Sequence, residues 1–378
     1  MTRGYSAPDV VETYGRALEI CRQMGESPEL LYALVGLYRY SLVRLELRTA
    51  KSLGERVWRL ARRNPVPVVS LAGHLMRGVA AFGSGELAAA RNHLEDALAS
   101  CDPSQRRLIV ASFGDDPGVI ALADLAMTLW FLGYPEQALA RSREAVAWAR
   151  EAGIPYSLAF ALNYSVWCRL LRGEGAAARG DSERLLEIAQ ENDFEYWSAL
   201  GLALRGWVQI EQGEIAGGAR SIEEGLAAYT VIGAELVRPW HLAKLADAYA
   251  RIGRPKDAAR AIEQALASLA PAEERFYEAE VHRLRGELIL REGETARDRQ
   301  SRAEACFRRA IRVARRQGAR SLELRATLDL SRLWRAQGRD RAARQVLGRV
   351  FEAFQEGFDT ADLRGARAQL RELGDAGL

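Results

Sequence analysis

The sequence predicts an all-α protein, a solenoid of about eight helix–turn–helix units with a period of about 40 residues. Three observations support this prediction. Glycines recur at a fixed interval, small residues occupy fixed places around them, and no segment alternates apolar and polar residues as a strand would. Each unit has room for two helices of about 16 residues joined by short turns. We expect residues 1–378 to form this one solenoid.

Turn glycines set the repeat frame. They recur at one constant interval at Gly133, Gly173, Gly213, Gly253 and Gly293. The frame extends to Gly85 and Leu45 on one side and to Gly338 on the other. We therefore predict repeat turns near residues 45, 85, 133, 173, 213, 253, 293 and 338.

Small residues stand where the two helices of a unit are expected to cross. Two antiparallel helices approach closely only if the residue at the crossing has almost no side chain. Seven positions before the turns the sequence has Gly78, Ala126, Val166, Gly206, Ala246, Gly286 and Ser331, and five positions after them Ala90, Ala138, Ala178, Gly218, Ala258 and Ala343.

The ends and one insertion depart from the period. Residues 8–25 have the pattern of a second helix whose first partner is missing, and residues 359–373 predict one closing helix over the last unit. The longer interval before Gly133 contains "SFGDDPGV", in which we expect Asp116 to cap a helix that starts at Pro117.

The small-residue spacing of 12 and 7 resembles that of the tetratricopeptide repeat, in a version with longer helices. Segments such as "GLALRGWVQIEQGE" and "EGFDTADLRGARAQL" also resemble the carboxy-terminal repeats of bacterial multidomain signalling proteins. In those proteins a class III adenylate or guanylate cyclase domain, or a helix-turn-helix domain, precedes a P-loop ATPase module. The resemblance implies a right-handed superhelix with a concave inner face and a regulatory role beside such a module.

Composition and motifs argue against several functional classes. A formal net charge of +3 gives no global reason to bind nucleic acid or a membrane, and the four cysteines are far apart. No signal peptide or apolar run of membrane-spanning length is present, so we expect a cytoplasmic protein. The sequence also lacks a G-x-x-x-x-G-K-[ST] loop, a G-x-S-x-G elbow and an HExxH motif. We therefore predict no catalytic residue, metal or cofactor.

The candidate binding site is the concave groove. By the tetratricopeptide resemblance, its positions lie 13, 10, 6 and 3 residues before each turn, on one helical face. They run from an apolar, aromatic middle through a mixed-charge stretch to an arginine end. The predicted groove residues are Met127, Trp130, Asn163, Trp167, Trp207, Asp247, Glu280, Arg283, Glu287, Arg325, Arg332 and Arg335.

Such a groove fits an extended or helical peptide, with an apolar side chain on tryptophan and an acidic end on arginine. The alternative is that these positions pack between units, since aromatic residues at helical spacing are usually core. The sequence leaves both interpretations open.

Our functional hypothesis is a non-catalytic protein-interaction scaffold that regulates an attached or partner ATPase or cyclase module. The alternative is a solenoid that senses a small-molecule effector near Trp167 and Trp207. We also expect that a terminal repeat without a polar cap can mediate homodimerisation.

Overall fold

Helices joined by short turns make up the described part of the computed structural model. These residues are 28–63, 66–101, 114–272, 274–291 and 296–375, with isolated positions at 12–13, 15–16, 19 and 110. They contain seventeen helices and no strand, which confirms the predicted all-α class. The predicted helix over 8–25, apart from isolated positions, and the predicted turn at Gly293 lie outside the described residues.

The helices form eight pairs and a final single helix. The first four pairs are α1 (Pro28–Val43) with α2 (Leu47–Arg63), α3 (Pro67–Gly83) with α4 (Leu87–Ala99), α5 (Pro117–Leu132) with α6 (Pro135–Ala152), and α7 (Pro155–Arg172) with α8 (Gly175–Glu191). The next four are α9 (Glu195–Glu211) with α10 (Ile215–Val231), α11 (Arg238–Arg251) with α12 (Pro255–Ala272), α13 (Glu278–Leu290) with α14 (Ala296–Gln317), and α15 (Arg320–Ala336) with α16 (Asp340–Phe351). Helix α17 (Ala361–Asp375) follows, two residues later than the predicted 359–373.

Left-handed residues end the first helix of the pairs. Gly133 has a φ of 92°, and the N–H of Tyr134 donates to the Leu129 carbonyl across the turn. Only glycine adopts this backbone conformation without a steric cost, which explains the constant glycine interval. The same positive φ occurs at Leu45, Gly85, Gly173, Gly213, Gly253 and Gly338, and at connections between pairs that the sequence analysis did not identify, namely Gly153, Asp193, Gly233, Gly318 and Gly357.

The first helix of each pair lies in an inner layer and the second in an outer layer. Inner helices contact the inner helices of neighbouring pairs as well as their own partners, as α5, α7 and α9 do in sequence. One hydrophobic core runs through most of the chain because each pair buries its apolar face against the next.

The cap predicted for the insertion is confirmed. The Asp116 carboxylate accepts hydrogen bonds from the N–H groups of Gly118 (2.9 Å) and Val119 (3.4 Å), and Pro117 occupies the first helical position. These bonds satisfy two amides that a helix start leaves without an internal partner.

Helices α9 and α10 show why the small residues recur. A methyl group added at Gly206 would lie 2.5 Å from the Gly218 carbonyl oxygen and 2.9 Å from the Ile222 nitrogen. Both are backbone atoms, so the helices themselves would have to separate.

We predict that Gly206→Ala lowers the free energy of unfolding by about 1–3 kcal/mol, because it overpacks the crossing of α9 and α10. The control is Gly180→Ala in α8, where an added methyl group meets nothing within 4 Å. That change should stabilise the protein by about 0.5–1 kcal/mol through helix propensity. Urea unfolding followed by circular dichroism measures both, and equal effects of the two substitutions would contradict the prediction.

Candidate functional site

The superhelix closes on itself after about one turn. The Val43 carbonyl at the end of α1 accepts hydrogen bonds from the N–H groups of Glu235 (2.9 Å) and Leu236 (3.2 Å), which directly precede α11. The Gly83 carbonyl at the end of α3 accepts one at 2.7 Å from the N–H of Arg275, which precedes α13 in the same way. The inner face of the first units therefore packs against later units, and it is filled over much of its length.

The apolar predicted groove residues lie in this filled interior. Met127, Trp130, Trp167 and Trp207 are all buried, with at most 4% of their surface exposed, and Asn163 is 5% exposed. The indoles of Trp167 and Trp240 pack edge to face, and both lie within the main core. These side chains are therefore packed between repeat units, which was one of the two interpretations that the sequence left open.

The mixed-charge positions form a buried ion network around Glu280, which is 1% exposed. Its carboxylate lies 2.8 Å from the Arg283 Nε, 3.4 Å from the Lys244 Nζ and 3.6 Å from an Arg325 nitrogen. Burial alone would raise the pKa of Glu280, but these three cations outweigh it and hold the pKa well below its usual value. Glu280 is therefore ionised at neutral pH.

Arg325 connects the two turns of the superhelix. Its Nη2 donates to the Leu171 carbonyl at 2.7 Å, and its Nε donates to Asp362 at 2.8 Å. The guanidinium carbon also lies 4.8 Å from the centre of the Trp130 ring. The structure thus brings two predicted groove residues together, the aromatic Trp130 and the basic Arg325, but they pack against each other and do not face an open groove.

The remaining predicted positions lie closer to solvent. Glu287 pairs with Arg283 at 3.1 Å, and Asp247 pairs with Arg291 at 3.4 Å. Arg332 lies 3.3 Å from Asp329, and Arg335 pairs with Glu372. The side chains of Arg332 and Arg335 are 55% and 42% exposed, so both arginines remain accessible on the inner helix α15.

A cavity of about 140 Å³ lies between the inner helices α1, α3 and α5 of the first units and α7, α9 and α11 of the following ones. Its lining is mostly apolar and aromatic, and half-buried rings such as Tyr156 and Tyr196 give it an edge towards solvent. Val43 and Leu236, which form the hydrogen bond between the two turns, are part of this lining.

Asp124 is the unusual polar group of the cavity lining. It is 1% exposed, and neither carboxylate oxygen makes a hydrogen bond of ordinary length to a described residue, although the Tyr164 phenol lies close enough to interact with it. Burial raises the pKa of Asp124 to about 7, and the Tyr164 phenol beside it offsets only part of that rise. Asn163 Oδ1 and Trp167 Nε1 are also buried without a partner in this part of the chain. Buried polar atoms of a cavity that lack a partner in the chain are candidates to contact a ligand.

Asp124 is not among the predicted groove residues, although the sequence contains a signal for it. It is the single acid in the otherwise apolar helix "PGVIALADLAMTLWFL". A lone carboxylate within an apolar helix carries a desolvation cost, which makes it a candidate for function.

One further group of potential metal ligands lies on α3 and α4. Side-chain atoms of His74, His93 and Asp96 lie within 4.8 Å of one another, and the two imidazole Nδ1 atoms are 3.3 Å apart. A hydrogen bond between one protonated and one free nitrogen accounts for that distance.

Among the described residues, no helix combines the length and apolarity needed to span a bilayer.

Sequence comparison identifies one distant relative. No family model matches the chain. An uncharacterized protein of Rhizobium meliloti (strain 1021) is 24% identical over 259 residues, which are 68% of this chain and 25% of that protein. The chain therefore spans about a quarter of the length of this relative.

Solved structures share the fold over nearly the whole chain. A Rap protein complexed with competence and sporulation factor superposes with a TM-score of 0.59 at 14% identity, covering 99% of this chain and 94% of that one. The Rap conjugation gene regulator of plasmid pLS20 in complex with the Phr* peptide gives 0.57 at 12% identity, with coverage of 98% and 93%. The apo quorum sensor NprR from B. thuringiensis gives 0.54 at 13% identity, with coverage of 91% and 93%. The fold is a tetratricopeptide-like helical-repeat solenoid.

We predict that Glu280→Gln lowers the free energy of unfolding by about 3–5 kcal/mol, because it removes the carboxylate that pairs with the buried Lys244 and weakens the pairing of Arg283 and Arg325. The control, Glu86→Gln, breaks the exposed ion pair with Lys51 and should cost less than about 1 kcal/mol. Urea unfolding at pH 7 compares them. If the Glu280 variant is as stable as the Glu86 variant, the buried ion network does not contribute the predicted stability.

The pKa of Asp124 predicts a pH dependence. An acid whose pKa is higher in the folded state than in the unfolded chain stabilises the fold fully at a pH below its unfolded-state pKa. That stabilisation is lost as the pH rises towards the folded-state pKa of about 7. The free energy of unfolding of Asp124→Asn should therefore rise relative to that of the wild type by about 1.4 kcal/mol per pH unit between pH 4 and pH 7, up to about 4 kcal/mol in total. Urea unfolding at several pH values measures this, with Glu224→Gln as a control for the loss of an exposed carboxylate. Parallel stability curves for Asp124→Asn and the wild type would refute it.

Proposed function

We propose that this chain is a non-catalytic regulatory protein that binds a peptide or protein partner, and that it serves a bacterial signalling ATPase or nucleotide cyclase module. The observation that carries the proposal is the partly polar cavity inside the superhelix, where the first and later inner helices meet. Solved proteins of the same fold are complexed with competence and sporulation factor and with the Phr* peptide, which supports a peptide ligand here.

The regulatory part of the proposal follows from the residues shared between cavity and closure. Val43 and Leu236 line the cavity and also form a hydrogen bond between the two turns. A ligand that binds the closed form more tightly than an open one would stabilise the closure. The change in curvature would then reach whatever module is attached to or bound by the solenoid.

The attachment to an ATPase or cyclase module is the finer part of the proposal. The sequence resemblance to repeats of such proteins supports it. Self-association through a terminal repeat belongs to the same proposal, and light scattering after gel filtration measures it.

We propose that Arg332 and Arg335 bind acidic groups of the partner. They are the most exposed of the predicted groove residues. Removing both arginines should leave the inner packing intact, since each makes its ion pair at the edge of the network. The expected effect is a loss of binding without a loss of folding.

A second candidate function is sensing of a small molecule. The size of the cavity favours it, because about 140 Å³ has room for one side chain or one small compound. A peptide would need to place a single side chain there and bind elsewhere with its remainder.

The test selects peptides from a displayed library against the immobilised wild-type chain and then titrates the enriched sequences. We expect the double variant Arg332→Ala, Arg335→Ala to bind at least about tenfold more weakly, which corresponds to about 1.4 kcal/mol. The matched control Arg341→Ala, Arg344→Ala removes two exposed arginines from the outer helix α16 and should bind as the wild type does.

Hydrogen exchange provides the second readout. Bound peptide should slow exchange of the Glu235 and Leu236 amides, which donate to Val43 across the closure. Unchanged exchange of these amides would remove the regulatory mechanism. Failure to enrich any peptide would favour the small-molecule candidate.

A further inference from the structure

The cavity has a net negative charge when Asp124 is ionised. Its lining also includes Arg39 and Asp115, but these two form an ion pair with each other. The remaining basic group is His241, whose pKa is lowered to about 4 by burial and by the nearby Lys244, so that its imidazole is neutral at pH 7. One carboxylate is thus left without a counter-charge.

Aromatic rings line the same cavity as this carboxylate. Ring faces carry negative electrostatic potential and attract cations, and a desolvated cation gains most from them. Among the unpaired atoms of the cavity, the Asp124 oxygens and Asn163 Oδ1 are acceptors and favour the same kind of ligand, whereas Trp167 Nε1 and Trp197 Nε1 are donors that a cation does not satisfy. The aromatic lining residues are Tyr38, Tyr156, Phe160, Tyr164, Trp167, Tyr196 and Trp197.

The chain already contains this arrangement with its own cation in place. The Lys244 ammonium lies 4.6 Å and 4.9 Å from the ring centres of Trp207 and Trp240, and 3.4 Å from the Glu280 carboxylate. The ammonium of Lys244 therefore already contacts two indole rings and has Glu280 as its counter-ion. Asp124 shares its cavity with aromatic rings, but no lysine of the described chain lines that cavity.

The volume of the cavity limits the size of a cation that could bind beside Asp124. A cavity of about 150 Å³ in another protein accepts benzene. A cavity of about 140 Å³ therefore holds an ammonium group on a body of about four carbons. A guanidinium or a quaternary amine of larger size would have less room.

We propose that this cavity binds a primary ammonium group on a short aliphatic chain, with the nitrogen against Asp124 and the carbons against the aromatic wall. The inference rests on the proposed function and names the chemistry of its ligand. A free alkylamine and a lysine side chain of a peptide present the same group, so the experiment separates these sources.

The test compares n-butylammonium chloride with n-butanol by isothermal titration at pH 8, where the Asp124 carboxylate is ionised and the amine remains protonated. The wild-type chain should bind the amine at least about tenfold more tightly than the alcohol. This comparison needs no variant and decides the main point by itself. Equal affinities would overturn the proposal.

Two variants assign the preference to one carboxylate. Asp124→Asn should retain n-butanol binding and lose the preference for the amine. Glu274→Gln removes another buried acid, whose oxygens are hydrogen-bonded to Tyr277 and Val237 and which does not line the cavity, and it should keep the preference. An amine preference that survives in Asp124→Asn would contradict the assignment.

A third arm identifies the source. The tripeptide Gly-Lys-Gly should compete with n-butylammonium if a peptide supplies the group, and its norleucine counterpart should not compete. Amine binding without tripeptide binding would assign the site to a free amine. These outcomes are independent of the Arg332 and Arg335 variants, so a failure of the peptide-binding function and a failure of the ammonium site are distinguishable.

Discussion

The carbonyl groups at the ends of the inner helices determine how this superhelix closes. The last carbonyls of a helix have no partner within it, and a buried one must find a donor elsewhere. In the first four inner helices that donor comes from about one superhelical turn later, at Val43, Gly83, Trp130 and Leu171. Trp130 accepts from the Ser321 hydroxyl, and Leu171 from Arg325. The pitch of the superhelix is thereby fixed by hydrogen bonds, and the inner face is closed where an open solenoid would have a groove.

Closure buries polar inner positions, and the chain treats them in two ways. Around Glu280 the buried acid is surrounded by Lys244, Arg283 and Arg325, so that the carboxylate has three counter-charges in direct reach. At Asp124 the acid is equally buried but has no counter-charge among the described residues, and the Tyr164 phenol is the polar group beside it. The contrast matters because a carboxylate that folding alone required could have been paired in the same way. A buried carboxylate without a counter-charge, in the wall of a cavity, is what the proposed ammonium ligand would pair with.

The fold was predictable because it depends on local, periodic features. Glycine at a left-handed turn and small residues at a helix crossing each leave a direct trace in the sequence, as Gly133 and Gly206 illustrate. The candidate site was less predictable because it depends on the superhelical pitch, which a single repeat does not encode. A generic concave face placed Trp167 and Trp207 in an open groove, whereas contacts between units far apart in the chain bury both. Asp124 lies three residues from the predicted Met127, yet only the neighbouring turn makes it a cavity residue.

The energetic scale of the closure is compatible with control by a small ligand. A backbone hydrogen bond contributes about 0.5–1.5 kcal/mol net, so the two bonds to Val43 contribute about 1–3 kcal/mol. A ligand shifts an equilibrium only by the difference between its affinities for the two states. An ammonium bound as proposed would gain an interaction of the same size from one desolvated carboxylate and the rings, and the lining residues of α1 and α11 would contribute to it only while the closure is formed. The closed state and the bound state would then stabilise each other, which is the condition for a solenoid to report on its ligand.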